Sequence, residues 1–97
     1  MLKVDMHVHT EYSRCSGMKL SQLLRICKRK NIIPCITDHN TIVGALKYPG
    51  RQIIGEEIDT KQGEVIGLFL KYWIRPGLDF DETISIVSSV HSAKSEV

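Results

Sequence analysis

The order in which short β-branched runs alternate with helical repeats constrains this chain more than any other feature. Residues 2–9, opening MLKVDMHVHT, alternate in the manner of a strand, and IIPCIT (32–37), RQIIGEEID (51–59) and EVIGLFL (64–70) are three further strand-like runs. Pro34 fits the second of these only near a strand's start, because it has no N–H to donate to a neighbour. Between the first two runs, KLSQLLRICKRKNI places Leu20, Leu23, Leu24 and Cys27 at i, i+3, i+4 and i+7, the stripe of an amphipathic helix, with Asn31 as its stop. NTIVGALKY reads as a short helix capped by Asn40 or Thr41, and YPGR as a turn. The link TKQG is so short that the strands on either side of it should form an antiparallel hairpin. DFDETISIVSSV reads as a last helix, with Asp79 and Glu82 spaced as a capping box and Ile84, Val87 and Val90 or His91 on one face. HSAKSEV (91–97) is expected to fray. The order β-α-β-α-β-β-α predicts an α/β fold with a largely parallel sheet, in a single domain of 97 residues.

Composition narrows the function classes. Thirteen basic against eleven acidic residues give a net charge of +2, too little for bulk attraction to nucleic acid. The basic run KRK at 28–30 reads as the last turn of the first helix, where cations complement the helix dipole. Three cysteines without a C-x-x-C pair argue against a disulfide framework and for a reducing compartment; Cys27 and Cys35 read as small core residues. With no basic leader ahead of an apolar run and no run near the ~20 residues that span a bilayer, the expectation is a cytoplasmic protein that does not enter a membrane.

The chemistry-bearing residues fall at the ends of the strand-like runs. In an extended chain Asp5, His7 and His9 share one face, with Met6 and Val8 on the other, so two imidazoles can reach one point. Alone, that pattern is equally two separately hydrogen-bonded histidines. The second run, however, ends in Asp38 and His39, and the third carries Glu56 and Glu57. In parallel sheets the C-terminal strand ends face the ligand crevice, so three such pairs together favour a metal site. Imidazole and carboxylate donors without thiolate suit Zn, Mn or Fe and a hydrolytic role, in which bound water loses a proton more readily.

DMHVHTEYS, ITDHNTIVGAL, IIGEEIDTKQGEVIGLFL and IRPGLDFDETI together resemble the successive opening motifs of the PHP family, the polymerase and histidinol phosphatase superfamily of metal-dependent phosphoesterases, over about residues 1–86. The resemblance implies the N-terminal part of a distorted β/α barrel, with about four strands and three helices and with more than one metal at the strand ends. It implies His7, His9, His39 and Glu57 as metal ligands, Glu57 bridging two ions, and Asp38 as a catalytic-site residue supporting the ligand shell from behind. Glu64 stands where some relatives have a histidine ligand and is taken as a further metal ligand. Arg14 stands where many relatives have an aspartate ligand; it is a candidate contact to substrate phosphate or a solvent-facing loop residue, and Cys15 beside it reads as a small loop residue. His91 matches no family motif and reads as a surface histidine. The family's C-terminal ligands have no counterpart in these 97 residues.

The implied activity is hydrolysis of a phosphomonoester or of a nucleotide or nucleic-acid phosphodiester, reduced by truncation, with a phosphorylated small molecule, nucleotide or oligonucleotide as substrate. Two alternatives stand beside it: a non-catalytic metal-binding or interaction remnant that takes a second copy or a partner on an open sheet edge, and an exonuclease-type nucleic-acid module. Tyr12, Tyr72 and Trp73 read as packing residues rather than a base-stacking platform.

Overall fold

A computed structural model describes residues 2–13 and 17–95, the side chains of 91–95 excepted. The elements run β1 (Lys3–Val8), α1 (Leu20–Lys30), β2 (Ile32–Ile36), α2 (Val43–Lys47), β3 (Ile53–Thr60), β4 (Gly63–Leu68) and α3 (Phe80–Ser95). The predicted mixed α/β order is present in full. The four strands form one sheet in the order β1-β2-β3-β4, with β1, β2 and β3 parallel and β4 returning antiparallel to β3. The sheet curls into a half-barrel whose edges are β1 and β4.

α1 is amphipathic as expected, burying Leu23 and Cys27, and it ends at Asn31, whose left-handed φ of 56° closes the last turn. Lys28, Arg29 and Lys30 occupy that exposed last turn. Leu23, Cys27, Ile36, Ala45 and Tyr48 form one core cluster, with Val8 and Met18 against it. Ile42, Ile58, Leu70 and Ile74 form a second, flanked by Ile86 and Val87 of α3. Cys27 and Cys35 are buried free thiols, as their composition suggested. Burial pushes the Tyr48 phenol up to about 12, helped by its hydrogen bond to Cys27.

Several local expectations are corrected. Pro34 lies in the middle of β2, inside the sheet, yet pairing with β3 begins only at Cys35, opposite Ile53, so the proline precedes that ladder. β1 contains a bulge: Asp5 pairs with Pro34 and Val8 with Ile36, three residues on one strand against two on the other. Strict alternation therefore fails between them. Val8 joins Asp5 in the cleft facing α1, while Met6 turns to the opposite face, where the Cys35 thiol meets its sulfur at 3.8 Å. In α2, the Thr41 hydroxyl accepts from Val43 N, whereas Asn40 turns away toward β3. At the start of α3, Gln62 Oε1 takes the Phe80 N–H at 2.7 Å, and Asp79 Oδ1 meets Gln62 Nε2 and Lys61 Nζ in place of the expected capping box. The buried stripe of α3 includes Thr83 and Val90, while Ile84 is exposed. Tyr12, Tyr72 and Trp73 are also exposed rather than packed in the core.

Candidate metal centre

The backbone brings the site together through register. Beyond the end of β2, Glu57 N donates to Asp38 O and Asn40 N donates to Glu57 O, both at 2.9 Å, so His39 and Glu57 are bridge partners in a parallel pair. Paired residues present their side chains to the same face. At the other side of β2, Thr37 N donates to Val8 O at 2.8 Å and fixes the end of β1, from which His7 and His9 project after the bulge.

The result is a cluster centred on the buried Glu57. Its Oε1 lies 2.8 Å from His7 Nε2 and 3.0 Å from His9 Nε2, and the two ring nitrogens are 3.0 Å apart. Its Oε2 lies 3.3 Å from His39 Nδ1, which in turn is 3.6 Å from Glu64 Oε2. The His9 and His39 rings meet edge to face at 4.6 Å. Three atoms all near 3 Å from one another cannot each be joined by a straight N–H bond, because each imidazole has one proton or none at Nε2. Donors bound tetrahedrally at about 2.0–2.2 Å from one zinc lie about 3.3–3.6 Å apart, so a small outward shift of these three atoms would admit one ion. His39 Nδ1 is buried and makes no hydrogen bond among the described residues, a nitrogen left available for a ligand. His7, His9 and Glu57 thus form one group of donors fit for a cation, and His39, Asp59 and Glu64 another.

Exposure grades across the cluster. The His7 side chain is 51% exposed, against 19% for His9 and 13% for His39, so a molecule from solvent reaches the His7 side. Burial alone would raise the Glu57 carboxyl, but hydrogen bonds from Glu64, His7 and His9 and the charge of His39 outweigh it and hold the group below the usual carboxylate range. Glu64 moves the opposite way: the hydrogen bond and negative charge of Glu57 raise it above the usual carboxylate range.

Asp38 stands behind this cluster. Fully buried, it accepts from Thr10 N and Thr10 Oγ1, both at 2.6 Å, and so clamps the loop that follows His9. Gly44 abuts this clamp; a Cβ there would collide with Asp38 Oδ2 and Thr10 Oγ1. Ser13 Oγ, also buried, accepts from His39 N at 3.2 Å. Arg14 and Cys15 lie outside the described residues, as does the His91 side chain. Residues that sequence reasoning passed over are Thr10, Ser13, Asn40 and Asp59. Only Asp59, two residues beyond Glu57 and hence on its face, carried a readable signal.

Glu56 serves a different purpose. It points to the opposite face of β3, is 0% exposed, and accepts from Ile74 N at 3.0 Å through Oε1, while Oε2 has no partner among the described residues. Burial pushes its carboxyl up to about 7, against the Ile74 N–H, which lowers it.

Among known proteins, the chain is 44% identical over 86 residues to the uncharacterized protein MJ0417 of Methanocaldococcus jannaschii, an alignment covering 89% of this chain and 35% of that one. It is 39% identical over 101 residues to the uncharacterized protein MJ1587 of the same organism, covering 86% of this chain and 59% of that one. The chain therefore spans between about a third and three fifths of the lengths of these relatives. No family model matches it.

Proposed function

We propose that this chain carries the core of a metal-dependent phosphoesterase site of the PHP type, on the N-terminal part of a distorted β/α barrel. The observation that carries the reading is the position of the Glu57 carboxylate, with one oxygen facing His7 and His9 and the other facing His39. His7, His9 and Glu57 would hold one divalent cation, and Glu57, His39 and Glu64 a second; zinc, manganese and iron all suit such donors. Cations bound there supply an activated water and neutralise phosphate charge. The residues themselves do the rest: Glu57 stays ionised between the two groups, Glu64 stands 3.6 Å from His39 Nδ1, and Asp38 holds the loop after His9 in place. The substrate is a phosphorylated small molecule, a nucleotide or an oligonucleotide, approaching from the exposed His7 side, with Arg14 as a candidate phosphate contact.

An exposed edge strand, β1, and the greater length of the relatives favour a second reading, in which another polypeptide segment or a second copy completes the site and the isolated chain binds metal without turning over substrate. No described helix is long and apolar enough to cross a membrane, and free thiols at Cys27 and Cys35 suit the reducing cytoplasm as the place of action.

The test is hydrolysis of a chromogenic phosphomonoester and of a nucleotide phosphodiester with added manganese or zinc, using His9→Ala and Glu57→Ala as controls. The reading predicts metal-stimulated turnover that both substitutions abolish. Absence of turnover with either metal, at every protein concentration, would sink the catalytic reading.

A further inference from the structure

Asp59 belongs to a small relay that the phosphoesterase reading leaves unused. Asn40 sits in the left-handed region at φ 57°, a conformation asparagine tolerates better than most residues, and this turns its amide toward β3. There it grips Asp59 twice: Asn40 Nδ2 donates to Asp59 Oδ2 at 2.9 Å, and Asp59 N donates to Asn40 Oδ1 at 2.8 Å. The single tryptophan, Trp73, donates its indole N–H to Asn40 O at 2.8 Å and steadies the same turn. A carboxylate oriented by a neighbouring amide is the arrangement by which proteins aim a metal ligand.

Asp59 offers an oxygen within 4.8 Å of the donor atoms of His39 and Glu64, and His39 Nδ1 is a buried nitrogen that makes no hydrogen bond among the described residues. This donor group has one imidazole and two carboxylates, whereas the group at His7, His9 and Glu57 has two imidazoles and one carboxylate. Carboxylate-rich sites suit hard cations such as manganese and magnesium, and imidazole-rich ones suit zinc. We infer that the two pockets are unequal, and that Asp59, aimed by Asn40, makes the His39 pocket a site for a hard divalent cation, manganese or magnesium, beside a zinc-type pocket at His7 and His9. The inference rests on the two-cation reading above but names a ligand and a selectivity that the reading does not contain.

The probe is manganese, titrated into the metal-free protein and into protein carrying one equivalent of zinc, with free manganese read by electron paramagnetic resonance and Trp73 emission recorded in parallel. The inference predicts one manganese bound in the presence of zinc. It also predicts that this paramagnetic ion quenches Trp73 and that the first equivalent of zinc does not. Asp59→Asn should weaken manganese about 100-fold and leave zinc within about twofold, and Asn40→Gly, which accepts the positive φ, should weaken manganese about tenfold. Circular dichroism melting establishes that each variant folds, and the wild-type quenching result decides the matter even where a variant does not. Manganese that binds Asp59→Asn as tightly as wild type, or zinc excluding manganese from both pockets at one equivalent, overturns the inference. A protein that takes both ions as predicted yet hydrolyses no phosphate ester would overturn the functional reading and leave this inference standing.

Discussion

Glu56 and Glu57 are neighbours on one strand and face opposite worlds. Glu57 lies on the open side of the curled sheet, surrounded by three imidazoles, and stays ionised. Glu56 lies on the helix-covered side, on the face of β3 that also carries Ile58 of the second core cluster, and burial favours its protonated form. A single residue step along β3 separates a carboxylate held ionised beside three imidazoles from one that tolerates its own proton. The comparison separates function from stability on one strand, and each side can be broken by itself.

The largest effect should come from Glu57→Ala, which removes the carboxylate that faces His7 and His9 through one oxygen and His39 through the other: calorimetric zinc and manganese binding should weaken by at least about 100-fold. Glu56→Ala should leave cation affinity within a few-fold and instead destabilise the fold by about 2–4 kcal/mol in denaturant unfolding, through the cavity and the orphaned Ile74 N–H. Comparable loss of metal binding in both variants would erase the distinction.

The pH dependence sharpens it. The folded protein raises Glu56 from the usual 4.5 to about 7, so the fold binds a proton that the unfolded chain releases in that window. The stabilisation is complete below about pH 4.5, declines between pH 4.5 and 7, and is gone above. Glu56→Gln lacks that slope. Its unfolding free energy relative to wild type should rise by about 2–3 kcal/mol between pH 5 and pH 8, and a flat difference over that range would contradict the assignment.

Asp38→Asn disturbs the support behind the open face rather than the face itself. Losing charge-assisted bonds to Thr10 should cost about 1–3 kcal/mol of stability and weaken zinc about tenfold, an effect intermediate between those of Glu57→Ala and a surface change. At the small end, Lys28→Ala in the exposed last turn of α1 should change stability by less than about 0.5 kcal/mol and leave metal binding unaltered.

What was legible in the sequence followed from period and punctuation. The Leu20 to Cys27 stripe, the Asn31 stop and the TKQG hairpin all depend on neighbours a few residues apart, and the structure has them where expected. The strand-end reading fits in part: His7, His9 and His39 stand at or just beyond the ends of β1 and β2, whereas Glu57 lies midway along β3 and meets them through its bridge to His39. What was not legible depended on partners distant in the chain. The bulge in β1 answers to its pairing with β2, and it moves Val8 and Met6 to opposite faces. The Asp79 carboxylate, expected to cap α3, instead meets Gln62 and Lys61 of the hairpin turn. Of the two residues read as a cap for α2, Asn40 or Thr41, Asn40 is claimed by Asp59, nineteen positions away. Local propensity proposes such contacts, and tertiary competition decides them.

The most direct test of the shared carboxylate is anomalous diffraction from crystals of the protein grown with zinc and manganese. The account predicts two peaks, one on each side of the Glu57 carboxylate and about 3.5–4 Å apart, the first against His7 and His9 and the second against His39. A single peak away from Glu57, or none at saturating metal, would contradict it.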